Sequence, residues 1–136
     1  MKCDPADGLP VMGMTSSSEL GVRPGIDISV DGSGDVVLDG SGMSVVPAWN
    51  CYKSNRVPKR LRHLFPGASA SNNTAIFSLG AGAFQHGNVA DGLQLIPDPG
   101  ISPVVHGVIA PVRIVTLPQY QTDLEHTRST WKIDEV

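Results

Sequence analysis

Between Gly92 and Trp131 the chain spells strand, turn, strand, helix with almost no residue to spare. Leu93-Gln94-Leu95-Ile96-Pro97-Asp98 and Val104-Val105-His106-Gly107-Val108-Ile109-Ala110-Pro111 are runs of strand length parted by a turn. Thr116 and Gln119 then match the Ser/Thr-x-x-Glu/Gln capping box, and Pro118 is tolerated inside the first helical turn. From that start Leu117, Tyr120, Gln121, Leu124, Thr127, Arg128 and Trp131 fall on one stripe, with Leu117, Tyr120, Leu124 and Trp131 as its apolar anchors. Lys132, Asp134 and Glu135 close the chain in a polar tail.

Upstream the pattern is more broken, as fifteen glycines and eleven prolines in 136 residues require. Residues 1–22 show no periodicity and read as a flexible leader. From Ile26 the sequence alternates: Ile26, Ile28 and Val30 against Asp27, Ser29 and Asp31, a half-buried strand. Gly32-Ser33-Gly34-Asp35 turns the chain and Val36-Val37-Leu38 returns it as a hairpin. Met43-Ser44-Val45-Val46-Pro47 follows, and Trp49 and Tyr52 are large enough to anchor the next connection. Pro58 suits the first turn of a short helix in which Leu61, Leu64 and Phe65 form an apolar face opposite a basic one. Thr74 to Leu79 reads as a strand, broken by Gly80-Ala81-Gly82-Ala83-Phe84. The expectation is an α+β fold: a leader over 1–22, then one compact domain over 23–136. That domain holds small, mostly antiparallel sheet, a C-terminal amphipathic helix and a short basic helix.

The net charge of −3 is unevenly spread. The first forty residues are acidic, whereas Lys53, Arg56, Lys59, Arg60 and Arg62 stand together without an acid between them. Such a segment attracts phosphates or an acidic protein partner, or is a solvated helix face. Nucleic acid is the poorer match, because the chain is acidic overall and lacks a platform of exposed aromatics. Cys3 and Cys51 do not make a disulfide framework. No apolar run follows a basic start, and none approaches the ~20 residues needed to span a bilayer. The expected setting is the cytoplasm, with no membrane partner and with signal-less export open.

Motifs for common chemistries fail on inspection. Asp27-x-Ser29-x-Asp31-Gly32 opens like a calcium loop, but the twelfth position is Leu38 instead of glutamate. Gly80-Ala81-Gly82 opens like a dinucleotide fingerprint, but its third glycine would be Gln85. His63, His86, His106 and His126 have no metal-like spacing, so no metal is expected. His106 stands out because it interrupts an apolar strand. It is either a core histidine bonded to a backbone carbonyl or an imidazole presented to a ligand, with Gly107 opening space beside it.

His106-Gly107-x-Ile109-x-Pro111, then Thr116-Leu117-x-x-Tyr120-Gln121-x-x-Leu124-x-x-Thr127-x-x-x-Trp131, resembles the C-terminal block of Tse-type ADP-ribosyltransferase-like toxin domains. Gly92-Leu93-x-Leu95-x-Pro97-Asp98 extends the resemblance upstream. These are small bacterial α/β domains delivered by type VI secretion. The resemblance implies NAD as ligand, transfer of ADP-ribose to a macromolecular target, and an immunity-type protein partner. It implies His106 as the catalytic residue at the ribose or nicotinamide, with Lys59, Arg60, Arg62 and Gly107 binding the ligand. The chain departs from the family in offering no ordered arginine or histidine, serine and glutamate motifs. Its glutamates are Glu19, Glu125 and Glu135. A catalytically degenerate relative is therefore also implied. The alternative reading is a non-enzymatic module whose basic helix engages an acidic protein.

Overall fold

The two apolar runs of the C-terminal block form the centre of an antiparallel sheet in a computed structural model. The model describes residues 1–48, 50, 56–58, 63–64, 69–71 and 74–133. In chain order its elements are β1 (Met43–Val45), β2 (Arg56–Pro58), β3 (Ser69–Ser71), β4 (Phe77–Ser78), β5 (Gly87–Ala90), β6 (Leu93–Pro97) and β7 (Gly107–Pro111). The helix α1 (Leu117–His126), a 3₁₀ turn (Arg128–Thr130) and β8 (Lys132–Ile133) follow. The main sheet runs β1-β7-β6-β5 with every neighbour antiparallel. β2 pairs with β3 in parallel, and β4 pairs with β8 antiparallel. The chain is an α+β protein, as its sequence pattern leads one to expect.

β7 is buried along its whole length, which explains why Gly107–Pro111 reads as a continuous apolar run instead of an alternation. β6 alternates and buries Leu93 and Leu95. β5 goes unseen in the sequence pattern, yet its signal is there. Asp91-Gly92 is a two-residue hairpin turn, with Gly92 at φ +74° and Ala90 facing Leu93.

The helix begins where the sequence puts it. Thr116 accepts a hydrogen bond from the Gln119 backbone N–H at 3.2 Å, but only half the capping box closes, because the Gln119 side chain turns to Asp123. Tyr120 is buried against the sheet: its hydroxyl donates to the Ile109 carbonyl and accepts from the Met43 backbone N–H. Burial pushes its phenol pKa up, so the hydroxyl stays a donor. Leu124 continues the stripe, but α1 ends at His126, so the expected helical position of Trp131 is corrected. Trp131 follows the 3₁₀ turn in extended backbone and is buried in the same cluster, its indole N–H donating to Thr127 Oγ1.

The leader expectation is corrected by the structure. Residues 1–22 lie within the fold, and Leu20 and Val22 have no solvent exposure. The Lys2 N–H donates to Ser18, Val11 to Lys2 and Leu20 to Val11, while Met1 and Ala75 exchange backbone bonds. Gln121 on α1 holds this segment from the helix side. Its Oε1 accepts from the Val22 N–H and its Nε2 donates to the Leu20 carbonyl, both at 3.4 Å. Gly21 must be glycine there, since a Cβ would stand 2.0 Å from the Gly13 carbonyl oxygen and 2.7 Å from the Gln121 amide. Arg128 donates to the Pro10 carbonyl and pairs with Asp4 and Asp7. Among the described residues of this segment the pairing is by isolated bridges, which leave no periodic trace in the sequence.

The alternation at Ile26 is also misleading. Ile28 is buried, but Ile26 is 71% exposed in a turn closed by Arg23 and Asp27. Asp27 accepts from the Arg23 backbone N–H and from its guanidinium at 2.8 and 2.9 Å. That pairing uses the first carboxylate of the calcium-like loop. Among the described residues no group of three or more His, Cys, Asp or Glu could hold a metal ion. The hairpin beyond it forms as expected, bridging Val30 to Val36. Pro58 ends β2 instead of opening a helix. Apart from His63 and Leu64, the basic helix expected after it lies outside the described residues, as do Trp49, Cys51 and Tyr52. Among the described residues no helix is long and apolar enough to cross a membrane.

Candidate functional site

The β6–β7 ladder pairs Leu95 with Ile109 and Pro97 with Gly107, so the next positions outward are Asp98 and His106. Their backbones stay in register, the Asp98 N–H donating to the His106 carbonyl at 3.0 Å. The side chains meet as well, His106 Nδ1 lying 2.8 Å from Asp98 Oδ2. A carboxylate can only accept, so Nδ1 carries the proton and Nε2 is the ring's second, uncommitted nitrogen. Both side chains are 37% exposed at the end of the sheet.

This geometry removes one of the two readings of His106. It is not a core histidine bonded to a carbonyl; it is a half-exposed imidazole oriented by a carboxylate. Nothing in composition marks Asp98 as a functional residue, although the hairpin register does. Once Pro97 and Gly107 are recognised as partners, Asp98 must face His106.

Gly107 does not play the part expected of it. A Cβ there would lie 2.7 Å from the Ile96 carbonyl oxygen, 3.0 Å from Pro97 Cα and 3.1 Å from Phe84 Cζ. The glycine is needed for close packing of strand and ring, and it opens no space for a ligand. Next to the pair, Asn50 Nδ2 donates to the Val105 carbonyl at 2.8 Å and fixes the β1 exit against the β7 entry. Asn50 Oδ1 is enclosed without a hydrogen-bond partner among the described residues.

Lys59, Arg60 and Arg62 lie outside the described residues. Of the glutamates, Glu19 accepts from the Thr15 hydroxyl and pairs with Lys2, and Glu125 is exposed on the last turn of α1. Neither bonds to His106. Glu135 lies outside the described residues. The Gly80-Ala81-Gly82 loop is exposed, and His63, His86 and His126 are exposed singly.

The chain matches no family model, no curated protein and no solved structure. Chemistry at the Asp98–His106 pair must therefore be argued from its geometry.

Proposed function

We propose that the Asp98–His106 pair is the working centre of an NAD-binding domain that transfers ADP-ribose to a macromolecular target. The observation that carries the reading is the half-exposed imidazole with Nδ1 committed to Asp98. An uncommitted Nε2 suits a ribose hydroxyl, or the proton of an attacking nucleophile, because in the neutral ring it is an acceptor. Asp98 is a positioning residue in this scheme. It fixes the tautomer and holds the imidazolium once the proton arrives, as carboxylates do in other histidine dyads.

In transfer, the bond between the nicotinamide nitrogen and the ribose C1′ breaks as the target nucleophile bonds to C1′. The nucleophile's proton passes to His106 Nε2, and nicotinamide leaves neutral. Lys59, Arg60 and Arg62 would neutralise the pyrophosphate. Gly107 has no part, since its surroundings are filled. With neither described glutamate bonded to His106, Asp98 is the carboxylate this scheme relies on.

The test is titration calorimetry of the full chain with NAD, followed by release of nicotinamide in the presence of a candidate target. His106→Ala should abolish release while the thermal midpoint moves little. Asp98→Asn should lower kcat at least about tenfold with a small change in KM, because the wrong tautomer is then favoured. Failure of the folded wild type to bind millimolar NAD overturns the reading.

A further inference from the structure

We propose that the chain cuts its own backbone between Asp98 and Pro99, with the Asp98 carboxyl as nucleophile and His106 as proton donor. No ligand takes part, so the step is independent of NAD transfer at the same pair. The carboxylate that His106 orients is followed directly by proline, which opens the exposed stretch Pro99–Pro103 between β6 and β7. An X–Pro bond is a tertiary amide without an N–H, and its nitrogen departs as a secondary amine once protonated.

Attack takes place within one residue. A carboxyl oxygen of Asp98 that bonds to the Asp98 carbonyl carbon closes a small ring, and well-oriented intramolecular steps reach effective molarities on the order of 10⁵ M. His106 Nδ1 holds Oδ2 at 2.8 Å, while Oδ1 takes no hydrogen bond among the described residues and is the free nucleophile. When Nε2 gains a proton from water, the imidazolium passes its Nδ1 proton to Oδ2. Oδ1 then bonds to the carbonyl carbon, and the Oδ2 proton moves to the Pro99 nitrogen as the C–N bond breaks. The products are a cyclic anhydride on Asp98 and a secondary amine on Pro99. Water opens the anhydride to two carboxyl groups. The net change is hydrolysis of one peptide bond, and His106 ends neutral.

The chain supplies its own control. Asp4–Pro5 is the other Asp–Pro bond of the sequence, and Pro5 lies in a turn. Both Asp4 carboxylate oxygens are engaged, Oδ1 by the Ala6 N–H at 2.9 Å and Oδ2 by Arg128 Nη2 at 3.4 Å. A guanidinium stays charged in proteins, so it holds the carboxylate as an anion and has no proton to pass on. The Asp4 carbonyl oxygen accepts the Gly8 N–H at 2.8 Å, which polarises the carbon to be attacked. Asp4–Pro5 thus has the more activated carbonyl and Asp98–Pro99 the better-served carboxyl. The two bonds separate these effects, and the carboxyl decides.

Mass spectrometry of the purified full chain, kept folded without NAD near neutral pH and sampled over days, tests it. Fragments 1–98 and 99–136 should accumulate at least about tenfold faster than fragment 5–136, since a positioned proton donor contributes about 100-fold or more. His106→Ala should remove that lead, and Asp98→Ala should abolish the cut. Urea, which parts His106 from Asp98 without any substitution, should bring the two bonds to equal rates. Hydroxylamine present during incubation should leave a hydroxamate on fragment 1–98, a mark of the anhydride that a contaminating protease does not produce. A chain that stays intact at Asp98–Pro99 overturns the proposal. So do equal rates at the two bonds in the folded protein, a lead that survives urea or a folded His106→Ala variant, or cleavage without the hydroxamate.

Discussion

Ten side chains meet in the buried cluster, and four of them, Leu20, Val22, Ile28 and Val36, come from the first 37 residues. That region, held by isolated bridges, contains no strand or helix of its own. The block from Leu93 to Trp131 supplies five: Leu93, Ile109, Tyr120 and Leu124 from regular elements whose periods show in the sequence, and Trp131 from just beyond the last helical turn. The two regions are buried alike and patterned differently. Periodicity reports the backbone conformation that carries a side chain, and only indirectly whether that side chain is buried. A segment that winds through turns and single bridges can fill a core while looking like a linker.

The most severe test of this equivalence is removal of residues 1–22. Truncation takes away Leu20 and Val22 and exposes the Gln121 amide and the Arg128 guanidinium that hold them. Each buried aliphatic side chain truncated to alanine costs about 2–5 kcal/mol, which for two is comparable to the whole stability of a small domain. The shortened chain should lose its cooperative thermal transition. A midpoint within a few degrees of the full chain would mean the segment is a leader after all.

Single substitutions sharpen the comparison without removing the backbone. Trp131→Ala should cost about 3–5 kcal/mol, and Leu20→Ala and Leu124→Ala about 2–5 each. The informative quantity is the ratio of the last two in urea unfolding. Equal costs mean the irregular region packs as tightly as the helix. A Leu20→Ala cost under about 1 kcal/mol places that side chain in a site that collapses around the loss.

What could be read in the sequence follows the same division. Thr116 as helix cap, the Tyr120–Leu124 stripe and the β6 and β7 runs depend on neighbours within a few positions, so they are legible; Trp131 is buried as its spacing suggests but lies past the end of the helix. The burial of Leu20 depends on Gln121, a hundred residues away, and no local pattern encodes such a contact. Ile26 shows the converse error: two matches to an alternating pattern, Ile28 and Val30, carried a third into a turn. At the candidate site His106 was visible as an anomaly. Asp98 was not, because its role depends on hairpin register, and Gly107 was misread because a missing side chain looks the same whether space is open or filled.

A pH experiment separates a local charge pair from the packing around it. The Arg23 hydrogen bonds hold the Asp27 carboxyl below its ordinary value of 3.8, outweighing the opposing effect of burial. A depressed folded-state pKa contributes stability above the unfolded pKa and loses it as pH falls through the folded value. The stability gap between wild type and Arg23→Gln should be flat from about pH 7 to pH 5 and close below about pH 4. The Asp7–Arg128 pair, whose Asp7 is lowered by the same kind of contact, is present in both proteins and cancels in the difference. Urea midpoints across that range decide the matter. A gap that persists to about pH 2 would show that Arg23 acts through packing of its aliphatic stem.

The smallest expected effect lies in the most legible element. Thr116→Ala removes the acceptor for the Gln119 backbone N–H and should cost about 1 kcal/mol. A closed capping box would couple that loss to Gln119, because the side chain would reach back to the Thr116 N–H. Here Gln119 Nε2 instead donates to Asp123 Oδ1 at 2.8 Å, an exposed contact one turn along the helix. Gln119→Ala should therefore cost only about 0.2–0.5 kcal/mol, the usual value of a surface pair at that spacing. The double variant should show the two costs adding within about 0.3–0.5 kcal/mol. Coupling well beyond that would mean the Gln119 side chain spends its time on Thr116 in solution and the box is closed. Additivity would locate the helix start in the threonine hydroxyl alone.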